Sequence, residues 1–216
     1  MEELAARMAG GGHGCDPALR DELLRQNPGG AELIATLCGP GGRAVVTGQQ
    51  VGLFLGPLYT FHKALTTVLL AKGLRAQGVR AVPVFWLQVE DHDLGEVEDV
   101  AVRRLDGTYA RLAPTREAGR TSLAHHHVDK QTEAVLRQLS EALEGLPRAA
   151  EVCALMEEAY EPGTSYAAAF TRALQSLFHE DEMLVFNPRT TVAAALALPL
   201  HWRATAQSES IGMRLA

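Results

Sequence analysis

Four consecutive polar residues, Glu90-Asp91-His92-Asp93, stand directly after the apolar run Ala81-Val82-Pro83-Val84-Phe85-Trp86-Leu87. Three carboxyl groups around one imidazole repel one another. A metal ion, a bound ammonium group or a pair of ribose hydroxyls would relieve that repulsion. Adjacent residues in a strand or turn cannot all face one ion, so substrate binding and capping of the next segment stand beside metal binding as readings. His92 is also a candidate general acid or base near neutral pH. No metal ligand set is assigned.

A second group lies upstream, in Thr47-Gly48-Gln49-Gln50-Val51-Gly52-Leu53-Phe54-Leu55-Gly56-Pro57-Leu58-Tyr59-Thr60-Phe61-His62-Lys63. Gly48 and Gly56 allow a backbone shape and a ligand approach that side chains forbid. Neither G-x-x-x-x-G-K-[ST] nor G-x-G-x-x-G occurs, so a plain tight connection is the alternative to a ligand-binding turn. His62 and Lys63 fall in or near the first turn of the following helix, where unpaired N–H groups and the dipole favour an anion. A cation there is unfavourable by itself, which points to a bound anion as its compensation; the alternative is a solvated lysine. In His125-His126-His127 only the outer two share a face of an extended segment, and a surface loop is the reading.

The elements that must position these groups follow from the apolar pattern. Ala44-Val45-Val46 reads as a strand and the glycine-bearing segment as a turn. A helix over 58–77 carries Leu58, Phe61, Leu65, Val68, Leu69 and Leu74 at helical spacing, with Gly78 as its C′ residue. The run 81–87 suits a parallel strand buried on both faces. This is one βαβ unit, and in an open α/β sheet ligands sit outside the carboxyl ends of the strands. Both polar groups therefore belong to one edge.

Around that unit, residues 1 to about 42 predict two short helices, one opening at Asp16-Pro17 and closing at Pro28-Gly29-Gly30. Downstream, residues 97–105 and 108–112 predict paired strands about the turn Asp106-Gly107. Three helices follow, marked by Val135, Leu136, Leu139 and Leu143, by Val152, Leu155, Met156 and Ala159, and by Phe170, Leu174, Leu177 and Phe178. Thr164 or Ser165 is the N-cap of the third. A strand over 183–186 ends in Asn187-Pro188, and a helical pattern from Thr191 is interrupted by Pro199. About three parallel strands and an uncapped last helix predict part of a longer arrangement.

A chain of 216 residues, 47% hydrophobic, can bury one sizeable core, and its net charge of -6 gives no electrostatic case for nucleic acid or a membrane surface. Acids at Glu2 and Glu3 oppose a signal peptide, and no greasy run is long enough to span a bilayer. Cys15, Cys38 and Cys153 lie far apart in the chain and are odd in number. Neither a disulfide framework nor a cysteine-based zinc site is expected, and a cytoplasmic location fits.

The chain resembles the N-terminal part of the bacillithiol biosynthesis cysteine-adding enzymes, the BshC family. The resemblance rests on the motif from Thr47 to Lys63, on Val82-Pro83-Val84-Phe85-Trp86 leading into Glu90-Asp91-His92-Asp93, and on three later segments: Ser165-Tyr166-Ala167 to Phe170, Leu177-Phe178, and Leu184-Val185-Phe186-Asn187-Pro188. These run in the family's order over most of residues 44–190. The resemblance implies an α/β fold: a Rossmann-like parallel sheet like that of class I aminoacyl-tRNA synthetases, a largely helical connecting-peptide insertion, and the start of a coiled-coil helix. In those terms residues 1–93 are lead-in and first half of the core, 94–180 the insertion, 181–190 a return strand, and 191–216 the beginning of the coiled coil, through which the family forms homodimers. The activity implied is ligation of cysteine to glucosaminyl malate, with those small molecules as partners.

Carried onto this sequence, the resemblance makes His62, Lys63 and His92 the catalytic candidates. It makes Gly48, Gln49, Gln50, Gly56, Pro57, Tyr59, Thr60, Trp86, Glu90, Asp91 and Asp93 the substrate-binding ones. No cofactor is assigned, and ATP with Mg²⁺ is what the likeness to class I synthetases implies. Two readings from other classes stand beside it. One is a nucleotidyl transferase or metal-dependent hydrolase using the Glu-Asp-His-Asp cluster; the other is a non-catalytic remnant that binds a partner chain.

Overall fold

The computed structural model describes residues 2–8, 14–90, 99–114, 122–179 and 182–215. Its centre is a three-stranded parallel sheet ordered β1-β2-β5, with β1 at Gly42–Gln50, β2 at Arg80–Gln88 and β5 at Leu184–Phe186. Strand β1 pairs with β2 from Gly42↔Arg80 to Gln50↔Gln88. It is therefore longer than the apolar triplet 44–46 alone predicts. Glycine and glutamine are poor strand formers, but the ladder of a neighbouring strand overrides that preference. The paired strands β3 (Val100–Arg103) and β4 (Tyr109–Leu112) form a separate antiparallel hairpin, as the turn at Asp106-Gly107 predicts.

Side-chain alternation gives the sheet two faces. Phe85, Leu87 and Val185 face one layer, which contains α4 (Tyr59–Arg75) and, after the helices α5 (Lys130–Leu143) and α6 (Ala149–Ala159), α7 (Tyr166–Leu177). Val82, Val84, Leu184 and Phe186 face Leu23 of α2 (Pro17–Gln26) and Ile34 of α3 (Ala31–Cys38). A short helix α1 (Glu2–Met8) places Ala5 against Ala71, Leu74, Val79 and Ala81. Among the described residues, the segment before β1 thus holds three helices rather than two.

Helix α4 packs on a different stripe from the one its large apolar residues predict. Thr60, Ala64, Thr67, Ala71 and Leu74 are buried, whereas Leu58 and Leu69 are exposed. Small side chains let the helix lie close on the sheet, and this face is what closes against β1 and β2. Among the other predicted core positions, Val152 and Leu177 are also exposed.

Two further corrections concern the ends of the described chain. Cys15 and Cys38 form a disulfide with a Cα–Cα distance of 4.5 Å, although their separation in sequence spoke against one. The α2–α3 turn folds the chain back and brings them together. Pro199 does not interrupt the last helical pattern: α8 runs over Thr191–Ala206 with the proline inside it, followed by α9 (Ser208–Leu215). The lost amide bond is absorbed within a helix that has no buried residue.

Candidate functional site

The carboxyl ends of β1 and β2 meet the start of α4, and the predicted site residues divide there between the two faces of the sheet. On the α4 side, Gln49 donates from Nε2 to the Tyr59 hydroxyl at 2.9 Å and accepts at Oε1 from Lys63 Nζ at 2.8 Å. Lys63 Nζ also reaches the Gly48 carbonyl at 3.3 Å and lies 4.8 Å from the centre of the Tyr59 ring. The three side chains form a closed, solvent-facing polar group. Lys63 is thus met by an amide oxygen, a carbonyl and an aromatic face, which position it but carry no full negative charge. His62 is exposed beside them, with its ring 5.9 Å from that of Phe61.

Gln50 belongs to the opposite face. Strand alternation puts Val46, Gly48 and Gln50 opposite Val84, Trp86 and Gln88, and a cleft of about 560 Å³ opens there. Its walls are Val46, Gly48, Gln50, Trp86 and Gln88, with Thr47 and Gln49 of the same strand also bordering it. Val46 is 56% exposed and Trp86 41% exposed, while Phe186 braces the indole edge-on at 5.0 Å. A Cβ on residue 48 would stand 2.8 Å from the Trp86 carbonyl oxygen, so glycine is required for β1 and β2 to approach here.

The turn from β1 to α4 is pinned by Tyr160 at the end of α6. Phe54 and Leu55 adopt left-handed conformations, with φ of 51° and 61°, that L-residues avoid. The Phe54 N–H donates to the Tyr160 hydroxyl at 2.9 Å, and the two rings meet edge-to-face at 5.1 Å. Burial pushes the Tyr160 phenol well above its ordinary pKa, so it stays a neutral acceptor. A Cβ at Gly52 would collide with the Gly56 carbonyl, and the Gly56-Pro57 peptide is cis. The first-turn amides of Thr60, Phe61 and His62 are bonded to the carbonyls of Pro57 and Leu58. Thr60 itself is fully buried, and its hydroxyl is without a hydrogen-bond partner.

At the ends of β2 and β5 the structure adds a residue that pattern reading missed. Arg189 donates to Ser122 Oγ at 2.9 Å, lies 3.0 Å from His125 Nε2, and reaches Glu90 at 3.4 Å. Ser122 in turn donates to the Val89 carbonyl at 2.8 Å. One guanidinium thus joins the end of β2, the end of β5 and the segment before α5. The only signal in the sequence was a cation placed three residues after a buried strand. His125 and His127 are exposed, as expected for a surface segment. Asp91, His92 and Asp93 lie outside the described residues. Among the described residues no group of three His, Cys, Asp or Glu could hold a metal.

Residues 24–210 match the model of the bacillithiol biosynthesis BshC N-terminal Rossmann-like domain. The chain belongs to the BshC family. BshC proteins of Solibacter usitatus, Koribacter versatilis and Salinibacter ruber, each provisionally named a cysteine ligase, are 39%, 37% and 37% identical to it over 84%, 81% and 79% of its length. Those alignments cover 34%, 32% and 31% of the relatives, so the chain spans about a third of their length. The matched BshC region contains β1, α4, β2 and β5, and with them Gln49, Tyr59, Lys63, Glu90 and Arg189.

Proposed function

We propose that this chain is the N-terminal, substrate-holding part of a BshC ligase that joins cysteine to glucosaminyl malate to form bacillithiol. The observation that carries this reading is the Gln49–Tyr59–Lys63 group at the carboxyl end of β1, inside the region matched to the family. An amide bond forms when an amine attacks an activated carboxyl carbon, and negative charge develops on the carboxyl oxygen. Lys63, held by Gln49 and set over the Tyr59 ring, is a preorganised cation for that oxygen. On the other face, Trp86 offers an apolar wall and Gln50 and Gln88 offer amides, a combination suited to a sugar ring and its hydroxyls. His62, Gly56, Pro57 and Thr60 support the reading only through their place in the motif. Thr60 is buried and cannot touch a ligand while the turn keeps this conformation.

ATP with Mg²⁺ is a poor fit to the described residues. The α4 start is already bonded to Pro57 and Leu58, so it lacks the open row of amides that a phosphate takes at a helix N-terminus. No step is routed through a nucleotide. In this proposal residues 94–180 correspond to connecting-peptide material of a class I synthetase-like fold, and 191–216 begin a coiled coil that supports a homodimer in the cytoplasm. No helix among the described residues is long and apolar enough to cross a membrane, in keeping with small-molecule work in solution.

The test joins this chain to the remaining two-thirds of the Solibacter relative and measures bacillithiol formation from cysteine and glucosaminyl malate by mass spectrometry. Lys63→Ala should lower kcat/KM about a hundredfold, the scale of one lost electrostatic donor, with the melting temperature unchanged. Product formation unaffected by Lys63→Ala would remove the role given to this residue.

A further inference from the structure

The Cys15–Cys38 bridge stands apart from everything used above. It ties the start of α2 to the end of α3, a sequence separation of 23 residues. Both cysteines are only half-buried, and an open cleft of about 360 Å³ lies directly against them. That cleft is lined by Cys15, Cys38, Arg20 and Asp21, with Pro17, Ala35 and Gly39 completing it. Disulfide exchange needs a thiolate to reach a sulfur, so access decides which bridges react. Here access comes with one cation and one anion side by side. Arg20 is suited to a carboxylate and Asp21 to an ammonium group.

We propose that Cys15–Cys38 is a thiol–disulfide exchange site whose co-reactant is a small amino-acid thiol, one carrying both a carboxylate and an amine. The thiolate of the small molecule attacks one bridge sulfur. A mixed disulfide forms, the S–S bond breaks, and the departing protein thiolate takes a proton from solvent. A second small thiol attacks the mixed disulfide, frees the other protein thiol and leaves as the symmetric small-molecule disulfide. Two electrons enter the protein and two small thiols are oxidised. This site does not rest on the ligase reading, although L-cysteine, one thiol of this class, is also the amino acid of that reaction.

The experiment uses the purified chain with its bridge intact and three probes: L-cysteine, cysteamine (no carboxylate) and 3-mercaptopropionate (no amine). Bridge opening is followed by peptide mapping without reductant, which also separates Cys153 from the pair. Each rate is divided by the rate of the same thiol with oxidised glutathione, which removes intrinsic reactivity. The normalised rate for L-cysteine should exceed those of the other two by about threefold or more, the scale of one exposed ion pair. Arg20→Ala should erase its advantage over cysteamine, and Asp21→Ala its advantage over 3-mercaptopropionate. Equal normalised rates for the three thiols, or variants that leave the preference intact, would overturn the proposal. So would finding Cys15 and Cys38 as free thiols in protein purified under air.

Discussion

At the scale of single residues, the least expected group is the Thr60 hydroxyl, buried without a partner at the start of α4. An unpaired buried hydroxyl costs roughly 1–3 kcal/mol, and valine fills the same space without it. Thr60→Val should therefore stabilise the chain by about 1 kcal/mol, read as a higher midpoint in urea. A lower midpoint would show that the hydroxyl has a partner in solution. Spacing in the sequence identified Gly48, Gln49, Gln50 and Lys63 as one group. The division of Gln49 and Gln50 between two faces follows from the alternation of a strand, which was visible only once β1 was known to extend through Gln50. The Lys63–Gln49–Tyr59 arrangement was out of reach, because it depends on how α4 is aimed after a turn held by Tyr160.

Among the elements, α2 does more than cover the sheet. Asn27, fully buried, donates to the Val185 carbonyl at 2.9 Å and accepts from the Val185 N–H at 2.8 Å, so one side chain satisfies both polar groups on the free edge of β5. Gln26 repeats the arrangement at Asn187. Asn27→Ala leaves two buried backbone groups unpaired and should cost about 3 kcal/mol, measured by urea unfolding; a loss under 1 kcal/mol would show that water replaces the amide.

The same helix carries Glu22, 6% exposed, whose carboxyl pKa is lowered chiefly by its hydrogen bond from Arg25. A group with a depressed folded-state pKa contributes stability that is complete above its unfolded value, near 4.5, and is lost as pH falls through the folded one. The melting temperature should fall below about pH 4.5, and more steeply in the native chain than in Glu22→Gln. Parallel slopes would place the acid sensitivity elsewhere. The sequence marked α2 correctly by Asp16-Pro17 and by the stop at Pro28-Gly29-Gly30. It could not show that Asn27, just before that stop, serves a strand more than 150 positions away, because no local pattern encodes a long-range hydrogen bond.

For the whole molecule, the βαβ unit and a sheet of about three parallel strands were legible from period and punctuation, whereas the place of β5 beside β2 and the division of the helices between two faces were not. Nor were the surfaces. Leu198, Leu200 and Trp202 of α8 and Ile211 and Met213 of α9 are each exposed; Leu198 and Trp202, four residues apart, share one face of α8, and Leu200 lies on the opposite one. The start of α8 packs against the core through Ala193, but every position from Leu198 to Ala206 is exposed, so the second half of the helix has no support from this fold. Exposed apolar surface drives association, and the proposed homodimer would place the Leu198–Trp202 face at its seam. Sedimentation velocity should therefore show concentration-dependent self-association of the chain. Trp202→Glu, which puts a charge in that seam, should shift the equilibrium at least tenfold toward monomer, about 1.4 kcal/mol, while β1, β2 and β5 keep their fold. A Trp202→Glu chain that associates like the native one would move the contact to another surface. The exposed β1 face at Val46 and Trp86 would then be the next surface to alter, with Val46→Lys in the same measurement.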